Sequence, residues 1–147
     1  MTDALVKDGY IYLTKLNGKN NVIEFDIDMP VKLIRANPLV RHNTGRAAVM
    51  RGPLVYCLEE TDNGKNLANV ELVSDGEFNT VYEEILGGVK VIYAEGLREA
   101  IGEETVSEPL YMEYSKPHKE NVVLKYIPYY AWCNRTPGEM AVWVRTV

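Results

Sequence analysis

Residues 43–60, NTGRAAVMRGPLVYCLEE, constrain this chain more than any other stretch. The run opens on a turn signal, Asn43, Thr44 and Gly45, and is then apolar from Ala47 to Leu58 with one interruption at Arg51, Gly52 and Pro53. Pro53 has no N–H and Gly52 no side chain, so a flat central strand would be weakened there, whereas a strand that bends or bulges tolerates both. Leu54, Tyr56 and Leu58 fall on one face, and Val55 and Cys57 on the other. The expectation is one long kinked strand at the centre of a β domain.

The remaining segments fit around such a strand. Residues 10–16 alternate weakly and end at Asn17-Gly18, a hairpin signal because both residues accept positive φ. The predicted return strand is residues 23–29, where Ile23, Phe25, Ile27 and Met29 alternate with Glu24, Asp26 and Asp28, the pattern of a sheet with one wet face. Further strands are expected over 31–36, 70–73, 79–86, 89–94, 111–115 and 122–127. Turns are expected at 62–64 and Gly87-Gly88, and 95–108 is expected as loop with one helical turn near Leu97 to Ile101. A last hairpin pairs 129–134 with 140–145 across Thr136, Pro137, Gly138 and Glu139. Many short strands and no convincing amphipathic helix predict an all-β fold, an antiparallel β-sandwich of jelly-roll or immunoglobulin type with little helix.

Size and charge narrow the function classes. At 147 residues and 46% hydrophobic, the chain can bury a real core. A net charge of -5 and a pI near 5.1 argue against a phosphate-neutralising surface, so nucleic acid is not an expected partner. No run approaches the ~18 apolar residues of a membrane span, and the opening residues MTDALVKDGY do not read as a signal peptide. The expected partners therefore exclude nucleic acid and membrane, and the expected location is cytoplasmic. Cys57 and Cys133 sit in apolar or aromatic runs without CxxC spacing and read as buried free thiols; a bridge between them would need neighbouring strands.

No residue set carries recognisable chemistry. His42 and His118 lie in expected loops, far apart and without neighbouring ligands. Phosphate-loop, zincin and nucleophile-elbow motifs are absent. The carboxylate pairs Glu59-Glu60, Glu83-Glu84 and Glu103-Glu104 are adjacent in sequence, so on a strand each pair points to opposite faces, unlike a glycosidase pair ~5 to 10 Å apart. Asp26 and Asp28 fit a wet sheet face. The catalytic, cofactor-binding and metal sets are accordingly all read as none. Aromatic usage is lopsided, with 10 Tyr against 2 Trp and 2 Phe, and rings with a polar handle suit surfaces with one wet edge. Tyr129, Tyr130, Trp132 and Trp143 are the candidate contacts, either at a domain interface or on a glycan, with Tyr130 and Trp132 expected to share a face. The sequon Asn134-Arg135-Thr136 is read as unmodified in a chain with no signal peptide.

Five runs, GYIYL, IDMPVKLIRANP, GRAAVMRGPLVYCLEETDNG, LGGV and IPYYAWCNRTPGEMAVWVR, resemble in that order the C-terminal region of glycoside hydrolase family 127, the β-L-arabinofuranosidase family. Cys133 departs from it, standing where a small residue such as alanine is expected. The resemblance implies an (α/α)6 catalytic barrel upstream, which would hold the nucleophilic cysteine and the zinc of this zinc-dependent family, and β-sandwiches after it. Cys57 matches a sandwich position, so the resemblance carries no catalytic residue and no cofactor to this chain. Residues 1–37 would be closing strands of a middle sandwich and 38–147 the C-terminal sandwich. The implied role is a non-catalytic accessory domain that braces the barrel or mediates subunit contacts. The alternative is a carbohydrate-binding module whose Tyr/Trp surface takes an arabinose-containing glycan. A sandwich lacking its earlier strands exposes an edge, so a homo-oligomer is expected of the isolated chain.

Overall fold

A computed structural model describes residues 4–13, 20–102, 105 and 107–147. In chain order the strands are β1 (Ala4–Lys7), β2 (Tyr10–Leu13), β3 (Val31–Arg35), β4 (Arg46–Arg51), β5 (Leu54–Glu59), β6 (Val70–Leu72), β7 (Phe78–Glu83), β8 (Val89–Glu99), β9 (Lys119–Pro128), β10 (Met140–Ala141) and β11 (Val144–Thr146). Helix among the described residues is confined to one turn at Glu60–Asn63, three 3-10 turns, and Thr105 and Ser107 in the β8–β9 connection. The fold is all-β, as the short punctuated runs predict.

The expected kinked strand is instead a hairpin. β4 and β5 are antiparallel, with Met50 opposite Val55 and Arg51 opposite Leu54, and the chain reverses at Gly52-Pro53. Gly52 has φ +55, and glycine at the first central position with positive φ is what a type II′ hairpin turn requires. The facial reading survives this correction. Tyr56 and Leu58 are fully buried in the main core, Leu54 packs on it, and Cys57 belongs to a second cluster on the opposite face.

The pairings close on themselves. β4 pairs β5, β5 pairs β9, β9 pairs β8, β8 pairs β6, β6 pairs β11, and β11 returns to β4. Closure leaves few edges, and side chains of alternate residues fill the interior. That interior is the main core of Val49, Tyr56, Leu58, Val70, Leu72, Ile92, Ala94, Leu124, Tyr126 and Val144, with Leu67 beside them. Tyr56 closes its own polar end by donating from Oη to the Lys90 carbonyl at 2.9 Å. The expected purely antiparallel sheet is mixed, because β11 runs parallel to β6 while antiparallel to β4. β3 is the outer strand beside β4 and β7 is an extra strand on β8.

Several expected elements differ. β8 continues to Glu99 where loop and a helical turn are predicted, because eight residues of it pair with β9; tertiary pairing overrides a weak local preference. Gly96 permits this pairing, since a Cβ there would meet Leu124 at 2.6 Å and the Glu71 carbonyl at 2.8 Å. The hairpin placed at Asn17-Gly18 lies outside the described residues. The described hairpin joins β1 to β2 through Asp8 (φ +53) and Gly9 (φ +80). Residues 23–29 form no strand, and Ile23, Phe25 and Ile27 are exposed; alternation makes a strand only where a partner edge and a face to bury exist. Residues 111–115 are likewise unpaired and exposed. The last predicted hairpin does not form. Tyr129–Ala131 is a 3-10 turn, β10 pairs with β5, and β11 lies between β4 and β6.

Gly96→Ala should lower unfolding free energy by about 1–3 kcal/mol, the range for forcing extra carbon into a packed site. Urea denaturation with an unchanged m-value checks this, and wild-type stability would contradict the crowding at Gly96.

Candidate functional site

The feature richest in polar contacts is the segment from Tyr129 to Glu139, which folds back beside the end of β5. The sequence dictates why it needs anchoring. β5 ends in Glu59, whose neighbours Tyr56, Cys57 and Leu58 are fully buried, and Glu59 is itself only 4% exposed. A carboxylate in that position costs several kcal/mol unless it is paired and hydrogen-bonded.

Arg135 supplies the pairing. Its Nε donates to Glu59 Oε2 at 3.2 Å and its Nη1 to Asp62 Oδ1 at 3.0 Å, while Nη2 reaches both carboxylates. The other Glu59 oxygen accepts the Cys133 N–H at 3.0 Å. Asp62 passes the network to Lys125 of β9 at 3.5 Å, Lys125 contacts Glu83 of β7 at 2.7 Å, and Tyr93 Oη donates to Glu83 at 2.6 Å. Asn63 joins β5 to β9: its Nδ2 donates to the carbonyls of Glu59 and Lys125, and its Oδ1 accepts the Lys125 N–H.

A second clamp holds the far end of the segment. Glu139 accepts the N–H groups of Asn66 and Leu67 at 2.9 and 2.7 Å. Its own N–H donates to Glu60 Oε2 at 2.9 Å, and the Glu60 N–H donates to its carbonyl. Gly138 permits the approach, since a Cβ there would lie 2.9 Å from Glu60 Cβ.

The ionisation states follow from these contacts. Hydrogen bonds from Lys125 and then from Tyr93 hold the Glu83 carboxyl below its ordinary value of 4.5, and that carboxylate in turn raises the Tyr93 phenol. Burial alone would lower Lys125, but the bond to Glu83 and the nearby Asp62 charge leave it raised. Arg135 is held more firmly protonated by its bond to Asp62. Backbone N–H groups of Leu67 and Asn66 lower Glu139. Burial, with the Glu59 charge beside it, pushes the Cys57 thiol up to about 12, so it is protonated at neutral pH, the wrong state for a nucleophile.

The four candidate aromatics divide. Tyr129 and Trp132 stack with ring centroids 5.9 Å apart and planes 19° from parallel. The expected Tyr130–Trp132 face is replaced because the segment is a 3-10 turn, in which side chains three apart eclipse one another. Tyr130 stands beside the stack, 66% exposed. Trp143 is elsewhere, half-buried between β10 and β11 and lining a cavity of about 330 Å³ with Arg46, Leu67 and Glu139. Its carbonyl accepts Arg46 Nη1 at 3.2 Å. Of the two cysteines, Cys57 is buried as expected but Cys133 is exposed, with φ +64. The turn lifts it off the sheet. Asn134 donates to the carbonyls of Ala131 and Trp132, which puts the sequon amide into the turn.

What reading the sequence misses is the network. The sequence weighs Glu59 only against Glu60 as a carboxylate pair, and places Arg135 only in the sequon and Glu139 only in a turn. The available signal was an acid closing an apolar strand, which demands a cation from elsewhere in the chain. Among the described residues no three His, Cys, Asp or Glu side chains converge as a metal site requires.

Arg135→Ala leaves the Glu59 charge buried and unpaired, and should cost about 3–5 kcal/mol in urea unfolding; a loss under about 1 kcal/mol, as for an exposed pair, would contradict the network. Glu83 and Glu139 both have folded values below their ordinary ones. Their contribution is present above about pH 4.5 and is lost as the pH falls through the folded values. Thermal unfolding should show stability dropping on that acid side, with Glu83→Gln flattening part of the slope.

With this geometry in place, the matches to known proteins become interpretable. The family model for the glycoside hydrolase family 127 C-terminal domain covers residues 31–145. The non-reducing end β-L-arabinofuranosidase of Bifidobacterium longum subsp. longum is 39% identical over 145 residues, 95% of this chain and 22% of that protein. The crystal structure of a family 127 β-L-arabinofuranosidase from Geobacillus stearothermophilus T6 aligns with a TM-score of 0.74 and 47% identity, over 81% of this chain and 18% of that one. A second family 127 β-arabinofuranosidase structure gives 0.69 and 33%, over 82% and 18%. The chain therefore spans about a fifth of the length of these relatives. Nothing in the matches supports a carbohydrate-binding module. Both clamps lie within the matched region, and the chain belongs to glycoside hydrolase family 127, as its C-terminal domain.

Proposed function

We propose that this chain is a non-catalytic accessory domain of a β-L-arabinofuranosidase-like enzyme, and that it braces the enzyme's catalytic body. One observation carries the reading. The segment ahead of β3 bears apolar side chains that face no core in this chain: Leu5, Val6, Tyr10, Ile11, Tyr12, Val22, Ile23, Phe25 and Ile27 are all more than 40% exposed. An apolar surface of that extent belongs against another body. The family match begins only at residue 31, and the relatives contain several times more chain than is present here.

In this reading the 20–30 segment completes an upstream sheet, the greater part of the 1–37 region serves that sheet, and β3 ties it to the C-terminal sheet. The zinc and the nucleophilic cysteine of the family belong upstream. The chemistry a bound zinc supplies, holding a cysteine as thiolate, has no ligand set among the described residues. The ion-pair network is then the device that fixes the shape of the docked domain.

Removing the region equivalent to residues 31–145 from a full-length relative should lower its unfolding temperature by several degrees, with partial recovery when this chain is added in trans. The chain alone should release no product from an aryl β-L-arabinofuranoside. Turnover by the chain alone, or a truncated enzyme of unchanged stability, would overturn the reading.

A further inference from the structure

Charge is unevenly placed along this chain. Residues 30–58 contain Lys32, Arg35, Arg41, Arg46 and Arg51 and no Asp or Glu. Taking that +5 from the chain's net charge of -5 leaves -10 on the remaining residues. Among the described residues none of the five cations has a carboxylate within ion-pair distance. The cleft beside Tyr114 and His118 is different, because Glu71 there already holds Lys119 at 2.5 Å and Arg145 at 3.6 Å. An uncompensated positive region on an acidic molecule draws anions to itself.

Two of these cations line one small cavity. Arg35 ends β3 and Arg46 opens β4. With Asn37, Asn43, Thr44 and Thr146 they enclose about 290 Å³, and no carboxylate side chain lines that space. This is the small end of the range for ligand pockets. The backbone acceptors around it are engaged: the Asn37 carbonyl accepts the Val40 N–H at 2.8 Å, and the Gly45 carbonyl accepts the Thr146 N–H at 3.1 Å. Asn37 Oδ1 accepts the Leu39 N–H at 2.9 Å, which leaves the amide its two Nδ2 donors. Arg46 uses Nη1 on the Trp143 carbonyl at 3.2 Å, and its other N–H groups remain. Among the described residues the Arg35 side chain has no hydrogen-bond partner. The lining is therefore rich in donors and poor in acceptors.

We propose that this cavity is an oxyanion site, taking the carboxylate or phosphate group of a small ligand. Guanidinium matches both groups, because its planar fork donates two parallel N–H bonds to either. Asn37 Nδ2 and the Thr44 hydroxyl supply neutral donors that fix a ligand's orientation. The frame is held: β3 pairs with β4 over five residues, and β11 pairs with β4 through Val144 and Arg145. An anion placed between the two guanidinium groups offsets their mutual repulsion, and little has to be ordered on binding. The site takes no part in the Arg135 network, goes beyond the bracing role proposed above, and does not depend on it.

The test is amide NMR of the 147-residue chain, titrated at neutral pH with sodium phosphate and separately with sodium glucuronate, each against NaCl of equal ionic strength. Saturable shifts are expected at the Thr44, Gly45 and Thr146 amides and none at Lys119, in the cleft that Glu71 neutralises. Saturation by phosphate alone assigns a phosphate ligand, by glucuronate alone a carboxylate ligand, and by both an oxyanion site that accepts either. Arg35→Gln should weaken binding by about tenfold or more, the loss of one or two charge-assisted bonds. Arg35→Lys keeps the charge and loses the fork, so its affinity should fall between wild type and Arg35→Gln. Arg35 is exposed, so both variants should keep the wild-type unfolding temperature in NaCl. The saturating anion should raise that temperature in wild type more than in Arg35→Gln. Shifts that grow without saturation, that NaCl reproduces, or that appear equally at Lys119 would overturn the proposal, as would binding that Arg35→Gln leaves unchanged.

Discussion

A negative charge buried at the end of the central strand organises the structure. Glu59 follows three fully buried residues on β5, and removing its carboxylate from water is unfavourable by several kcal/mol. Arg135, seventy-six positions later in the chain, offsets that cost with multiple charge-assisted bonds, and the Cys133 N–H adds one more. Asp62, Lys125 and Glu83 then spread the charge over the helical turn, β9 and β7. Three separate strands and the returning segment are therefore committed to one geometry by a single requirement, that no member of the network be left unpaired.

This requirement gives the family resemblance a physical meaning. The two longest shared runs, GRAAVMRGPLVYCLEETDNG and IPYYAWCNRTPGEMAVWVR, meet across the network: Glu59, Glu60, Asp62 and Asn63 come from the first, and Arg135 and Glu139 from the second. The thiol of Cys57, buried and held protonated, fits the same account. Activity in the family-127 relatives belongs to proteins about five times this length.

Two regions stand outside the closed sheet, the segment ahead of β3 and the β8–β9 connection, and they share a character. Both carry apolar side chains at high exposure, and residues 23–29 and 111–115 within them have strand-like sequence without a partner strand. The core is filled, with β11 completing the ring between β4 and β6, and neither region adds a strand to it. Contiguous exposed apolar surface of this kind is what interaction sites are made of.

The sequence by itself determined the class and the inward face. Short runs bounded by Gly, Pro and Asn admit strands and no long helix, and the alternation of Leu54, Tyr56 and Leu58 against Cys57 was readable because a side-chain period of two is a local property. It determined less wherever a partner was needed. Gly52-Pro53 fits a kink or a hairpin equally, and only the pairing of Met50 with Val55 selects the reversal. Residues 23–29 and 111–115 have strand patterns but no edge to pair with, whereas β8 extends past its pattern because β9 lies alongside. The stack of Tyr129 on Trp132 follows from a 3-10 turn that the clamps impose from both ends. The tertiary structure alone decided which cation meets Glu59. Local sequence fixes where each side chain points, but long-range contact fixes what it meets, and the penalty for an unpaired buried charge is assessed only there.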